Sequence, residues 1–210
     1  MTPDFCQARF LKSCAQLADL PADRGREIAF AGRSNAGKSS ALNAISGVSG
    51  LARVGKLPGR TRLINLFGIG TTGLRLVDLP GYGYAKAPEV ERRRWGELVA
   101  DYFRTRRALA GVVLIMDVSH PLGDLDRQML DFAAPLGRPV HVLLSKADKL
   151  GRAASARSLA VVRRQLGLGV GVQLFSSLSG EGVEAARCIL GAWLTKDTAN
   201  HRPETGDGAD

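Results

Sequence analysis

Eight consecutive residues, Gly32-Arg33-Ser34-Asn35-Ala36-Gly37-Lys38-Ser39, follow the pattern G-x-x-x-x-G-K-[ST]. That spacing suits phosphate binding. The two glycines let the backbone curl closely round an anion. Successive N–H groups and a helix N-terminus supply positive partial charge. Lys38 is placed to reach the β- and γ-phosphates of a nucleotide, and the Ser39 hydroxyl to bind Mg²⁺. Three later stretches carry what such a site still needs. In Asp78-Leu79-Pro80-Gly81, the acid can hold Mg²⁺ through water, and Gly81 offers an N–H where a γ-phosphate would sit. In Ser145-Lys146-Ala147-Asp148, the Asp148 carboxylate can accept both N1–H and N2–H of guanine, whereas adenine has no donor at N1. The Lys146 stem can lie along the base plane. In Ser176-Ser177-Leu178, backbone N–H groups near Ser177 and Leu178 can meet the guanine O6. A fourth stretch, Pro58-Gly59-Arg60-Thr61, reads as a loop whose threonine completes a metal shell if it folds over a nucleotide.

The elements that must position these groups are legible as alternating patterns. Apolar runs at 27–31, 111–116, 140–144 and 170–175 read as buried strands. Residues 63–69 and 74–77 read as two more, joined by Gly70-Thr71-Thr72-Gly73, a connection short enough for an antiparallel hairpin. Helical patterns follow at 40–45, from 91 to 106, 125–132, 153–166 and 183–194. Alternation of this kind predicts an α/β domain with a mainly parallel sheet, one antiparallel edge strand and helices on both faces. Ligands bind at the carboxyl ends of such strands, and the motifs at Gly32, Asp78, Ser145 and Ser176 all follow strand ends. Residues 1–26 are expected to be an extension packed on the domain, 27–195 the domain itself, and 196–210 a disordered polar tail.

Composition narrows the class. The chain has 210 residues, 45% hydrophobic and 23% charged, enough for one sizeable core. No apolar run approaches membrane-spanning length, and the N-terminus lacks a basic segment followed by an apolar one. The three cysteines have no metal or redox spacing and the three histidines are scattered, so the expectation is a cytoplasmic protein with reduced thiols and no membrane partner. The net charge of +9 suggests an anionic partner beyond one nucleotide, most simply nucleic acid. The densest basic cluster runs from Arg92-Arg93-Arg94 to Arg106-Arg107. It faces either an RNA backbone or solvent, and the sequence leaves that open.

The ordered set GRSNAGKS, PGRT, DLPG, SKAD and SS-L-S-G resembles the five G motifs of translation-factor-class GTPases, with the Ras-like P-loop NTPase fold. The strings LPGRTRLINLF, DLPGYGYAK and SKADKL resemble one family within that class, the EngB-type (YihA/YsxC) ribosome-assembly GTPases of bacteria, over about residues 5 to 195. The resemblance implies binding of GTP and GDP with Mg²⁺ and slow GTP hydrolysis. It also implies association with the large ribosomal subunit, its RNA and proteins, and a need for the protein in division and septation. A monomer is expected. By position, Ser39 and Thr61 would ligate Mg²⁺, with Asp78 acting through water. Residues 32–39, Gly59, Arg60, Thr61, Arg62, Leu63, 78–81, 145–148 and 176–178 would line the nucleotide, and Lys38, Thr61 and Gly81 would act on the reacting phosphate. Asn35 matches a P-loop asparagine that helps hold a monovalent cation in related GTPases, so K⁺ is a further expectation.

Two departures bear on chemistry. The base motif starts with Ser145, where the family usually has Thr; serine keeps the hydroxyl, which can reach back to the P-loop. Tyr82 stands where Ras-like GTPases carry the glutamine that orients the attacking water, and tyrosine lacks glutamine's paired donor and acceptor. An ATP-using P-loop kinase would need an acceptor pocket and lid, for which no segment is evident. An RNA-binding module with a structural nucleotide is the third reading.

Overall fold

Residues 28 to 31 alternate between two apolar faces, and that period of two sets the layering of the whole molecule. Ile28 and Phe30 point to one side of the central strand and Ala29 and Ala31 to the other, each within its own core. The structure, a computed structural model, describes residues 3–53, 63–83, 89–167 and 169–196. Gly59, Arg60, Thr61, Arg62, the side chains of Arg92, Arg93 and Arg94, and residues 197–210 of the tail lie outside the described residues.

Among the described residues, seven strands form one sheet. They are β1 (Ala8–Cys14), β2 (Arg26–Gly32), β3 (Ile64–Ile69), β4 (Leu74–Asp78), β5 (Leu109–Asp117), β6 (Val140–Ser145) and β7 (Val170–Leu174). Their order is β1-β3-β4-β2-β5-β6-β7. From β4 to β7 every neighbouring pair is parallel. The hairpin at residues 70–73 makes β3 antiparallel to β4, as its length predicts, and β1 pairs antiparallel with β3 on the far side. The reversed strand therefore lies one in from the edge, because residues from the N-terminal segment add a strand beyond it. Phe10 and Leu11 stay exposed on that edge strand.

Among the described residues, five α-helices cover the sheet: α1 (Lys38–Ser46), α2 (Glu89–Thr105), α3 (Asp124–Ala133), α4 (Arg152–Gln165) and α5 (Val183–Thr195). Leu42 and Ile45 of α1 and Leu190 of α5 join Ile28, Phe30, Val113 and Ile115 on one face. Tyr102 of α2, Met129 of α3 and Val162 of α4 join Ala29, Val112, Leu114 and Val142 on the other. Burial of each large apolar side chain is worth roughly 1.5–3 kcal/mol, so these two layers fix the strand ends in space before any polar contact is counted.

Candidate functional site

The P-loop starts where β2 stops. Gly32 passes so close to β5 that a Cβ there would lie 2.7 Å from the Ile115 carbonyl oxygen. Gly37 has φ +100°, a conformation that side-chain-bearing residues rarely adopt, and it caps the start of α1. Asn35 is also left-handed, at φ 64°. The loop is tightened by a hydrogen bond from the Ala36 N–H to the Arg33 carbonyl, 3.0 Å, and its helix runs on from the Ala41 N–H to the Gly37 carbonyl, 2.9 Å. The first N–H groups of a helix have no partner within it, so the start of α1 can donate to an anion.

Lys38 is 8% exposed and Asp78 3%. Their ammonium and carboxylate are paired with each other across the junction of α1 and β4. The second Asp78 oxygen accepts a long hydrogen bond, 3.5 Å, from the Asn65 side-chain amide, and Ser13 of β1 donates in turn to Asn65 at 2.6 Å. Ser39 lies half-buried beside Lys38 on the first turn of α1. Leu79 buries its side chain in the core, and its N–H donates to the Phe30 carbonyl at 3.0 Å. Pro80 and Gly81 are buried against the P-loop; a Cβ on Gly81 would lie 3.4 Å from Ser34.

The third and fourth motifs meet the P-loop from the other side. The Ser145 hydroxyl reaches the Ala36 carbonyl in the P-loop and the Met116 carbonyl of β5, the latter at 3.0 Å, with one proton to serve both. The shorter side chain thus keeps the contact toward the P-loop. Lys146 takes a left-handed backbone, φ 59°, which turns its side chain along the P-loop. Its ammonium donates to the Asn35 carbonyl at 2.6 Å and to the Asp117 carboxylate at 2.8 Å. Burial pushes the Asp117 carboxyl up, but the Lys146 hydrogen bond, the Ser119 N–H and the Lys146 charge outweigh it and hold it below the usual range. Ala147 is buried and donates its N–H to Phe175 at 3.1 Å, tying this motif to the next. Asp148 is exposed, with one oxygen accepting from the fully buried Ser176 hydroxyl. Ser176 also accepts from the N–H groups of Leu178 and Ser179, 3.2 and 3.1 Å, which curls that loop beneath an exposed Ser177 and a Leu178 that is 84% exposed.

The described residues from all four strand-end motifs therefore stand on one rim. Leu63 lies just before β3, half-buried. Among the described residues no three His, Cys, Asp or Glu side chains come together as a metal cage. Among the described residues, a divalent ion here would find the Ser39 hydroxyl and the Asp78 carboxylate, with phosphate oxygens and water to complete an all-oxygen set of the kind Mg²⁺ prefers.

Three participants escaped the sequence reading. Asp117 carried a signal, an acid ending a buried strand as Asp78 does. Asn65 lies within the strand pattern at 63–69 and carries no local signal of its own. Asp126 falls inside the helical pattern at 125–132 with nothing local to single it out, and it is buried and accepts from the Tyr82 hydroxyl at 2.8 Å. Of the arginine cluster, Arg106 faces neither RNA nor solvent: it is buried and bound to Glu27.

Comparison with known proteins agrees with this geometry. The family model described as 50S ribosome-binding GTPase matches residues 27–146. The chain is 51% identical over 208 residues to the probable GTP-binding protein EngB of Azoarcus sp. strain BH72, covering 97% of this chain and 99% of that one. It is 53% identical over 195 residues to the EngB protein of Methylobacillus flagellatus, covering 91% and 94%. Among solved structures, a probable GTP-binding protein EngB aligns with TM-score 0.65 at 22% identity, covering 80% of this chain and 98% of that one, a likeness of fold. Aquifex aeolicus Era aligns with the same TM-score at 20% identity, covering 81% and 57%. The chain belongs to the EngB family of GTP-binding proteins and is a P-loop GTPase.

Proposed function

We propose that this GTPase is a slow, GTP-dependent switch acting in assembly of the large ribosomal subunit. The observation that carries the reading is the convergence, on one rim, of Lys38 and the P-loop, Asp78 with Gly81, and Asp148 held by Ser176. Asp148 presents acceptors that guanine can satisfy and adenine cannot. Lys38 and the start of α1 attract the phosphates, and Gly81 presents an N–H to the γ-phosphate. Bound Mg²⁺, held by Ser39 and Thr61 directly and by Asp78 through water, would supply charge neutralisation at the phosphates. Slow turnover is supported by Tyr82, whose side chain is turned into the fold and bound to Asp126, where it cannot orient an attacking water. We assign Asn35 to a K⁺ site that does part of an arginine finger's electrostatic work; equal turnover in K⁺ and Na⁺ would remove that ion from the scheme.

The client is supported by the description of the matching family model and by the net charge of +9. We take the protein to act as a monomer in the cytoplasm. A need for it in division and septation rests on the family resemblance. The test is co-sedimentation with purified ribosomal subunits, with GDP or a non-hydrolysable GTP analogue, across a salt series. Binding to the large subunit only with the analogue, weakening as salt rises, is expected. Absence of binding in both states would refute the client.

A further inference from the structure

Tyr82 is held from three sides, more tightly than a loop residue after a strand requires. Its carbonyl accepts from the Ser34 N–H at 2.7 Å, and its N–H donates to the Gly32 carbonyl at 3.2 Å. Both backbone groups are thereby tied to the P-loop strand. Its ring is 2% exposed, and its hydroxyl donates to Asp126 Oδ1 at 2.8 Å. Asp126 is 1% exposed, and its other oxygen accepts from the Gly123 N–H at 3.1 Å, closing the first turn of α3. Burial, with Asp126 beside it, pushes the phenol well above its usual range, so it stays a donor at any working pH. On the other side of Gly81, the Leu79 N–H is fixed on Phe30 at 3.0 Å. The peptide of Gly81 therefore sits between two anchors, one on β2 and one reaching α3.

We propose that Tyr82 and Asp126 are positioning residues: their hydrogen bond aims the Gly81 N–H at the γ-phosphate and makes the first turn of α3 part of the nucleotide switch. GDP has no γ-phosphate, so the effect falls on the triphosphate alone. The proposal rests on the reading of Gly81 as the γ-phosphate sensor.

The chemistry suggests the variants. Tyr82→Phe keeps the ring and removes the donor, but it leaves a buried carboxylate short of one partner. Asp126→Asn keeps an oxygen for the Gly123 N–H and turns an amide N–H toward the Tyr82 oxygen, so the tie survives in neutral form. The double variant Tyr82→Phe/Asp126→Asn removes the tie without stranding a charge. Affinity for GDP and for a non-hydrolysable GTP analogue would be measured on all of them, with hydrogen exchange at the Gly81 amide in each nucleotide. In the wild type and in Asp126→Asn, the analogue should protect that amide more than GDP does. In the double variant that extra protection should be lost. Its analogue affinity should fall about tenfold, with GDP affinity within about twofold of wild type. A wild type equally protected by both nucleotides overturns the switch reading and this proposal with it. A double variant that keeps the extra protection, or loses both affinities equally, overturns the positioning role alone.

Discussion

Two buried charge clusters stand at opposite ends of the sheet, and they are built to opposite rules. At the amino ends of the strands, Glu27 is fully buried and every acceptor direction is used. Oε1 accepts from Arg75 Nε at 2.6 Å and Arg106 Nη2 at 2.7 Å; Oε2 accepts from Arg106 Nε at 2.8 Å and the Tyr102 hydroxyl at 3.0 Å. The arginines are completed in turn, Arg106 by the Pro21 carbonyl at 2.9 Å and Arg75 by the Arg24 carbonyl. At the carboxyl ends, Asp78 accepts from Lys38 and, at 3.5 Å, from Asn65. A carboxylate can take about four donors; among the described residues Asp78 receives two, one of them long, where Glu27 receives four. The lesson is that burial alone does not mark a functional charge. Position does: Asp78 ends a strand and pairs with Lys38 on the first turn of a helix, where Glu27 stands at a strand's other end.

The largest effect should come from breaking the saturated cluster. Glu27→Ala strands two guanidinium groups away from water and should cost about 3–5 kcal/mol of folding stability, read from urea midpoints. GTP affinity of the folded fraction should hold, because no atom of the cluster faces the rim. A large loss of affinity at unchanged stability would erase the contrast between the two ends. Lys38→Ala should do the reverse. It should weaken GTP and GDP binding by about a hundredfold, near 2.7 kcal/mol, through the lost charge pairing with phosphate. Nucleotide titration checks this, and affinity near wild type would contradict the P-loop assignment. Its stability loss should be smaller than that of Glu27→Ala, since truncating Lys38 leaves one carboxylate short of a partner and opens a space beside it, whereas Glu27→Ala strands two guanidinium groups.

These two clusters also show what a sequence conveys. The rim was legible because its residues work in short strings: Gly37, Lys38 and Ser39 are consecutive, and Lys146 and Asp148 stand two apart. Strand alternation put each string at a strand end. The amino-end cluster joins Glu27 to residues 48 and 79 positions away, and nothing local to any of them announces the others. Glu27 falls inside the apolar run 27–31 and Arg106 inside the basic cluster, and neither stretch points to the other. Tyr82 was singled out for what it is not, a glutamine; its bond to Asp126 spans 44 residues and needed coordinates. The N-terminal segment was hard for another reason. An edge strand with Phe10 and Leu11 both exposed shows no clean alternation, so its pairing with β3 is set by the neighbour more than by its own pattern.

A smaller effect is expected at the base. Asp148→Asn replaces an acceptor by a donor on one arm and should narrow the preference for GTP over ATP by about tenfold or more, by competition titration. Ser176 would keep a partner at that position, so the loop should hold its shape. An unchanged preference would mean that another group reads guanine.

The smallest effect returns to the amino end. Asp23 accepts from the N–H groups of Ala108 and Arg107, at 2.8 and 3.0 Å, beside Arg106. Partial burial pushes its carboxyl up, but those two N–H groups and the charges of Arg106 and Arg107 outweigh it and hold it below its usual value of 3.8. A carboxyl lowered in the folded state stabilises the fold above its unfolded value, and the contribution disappears as pH falls through the folded one. Asp23→Asn should therefore lower the urea midpoint slightly at neutral pH, and the gap to wild type should close as pH drops below about 3.8. Nucleotide affinity should not move at any pH where both proteins are folded. A gap independent of pH would assign the effect of Asp23 to its shape rather than its charge. The amino-end cluster would then owe its stability to Glu27 and the two arginines alone.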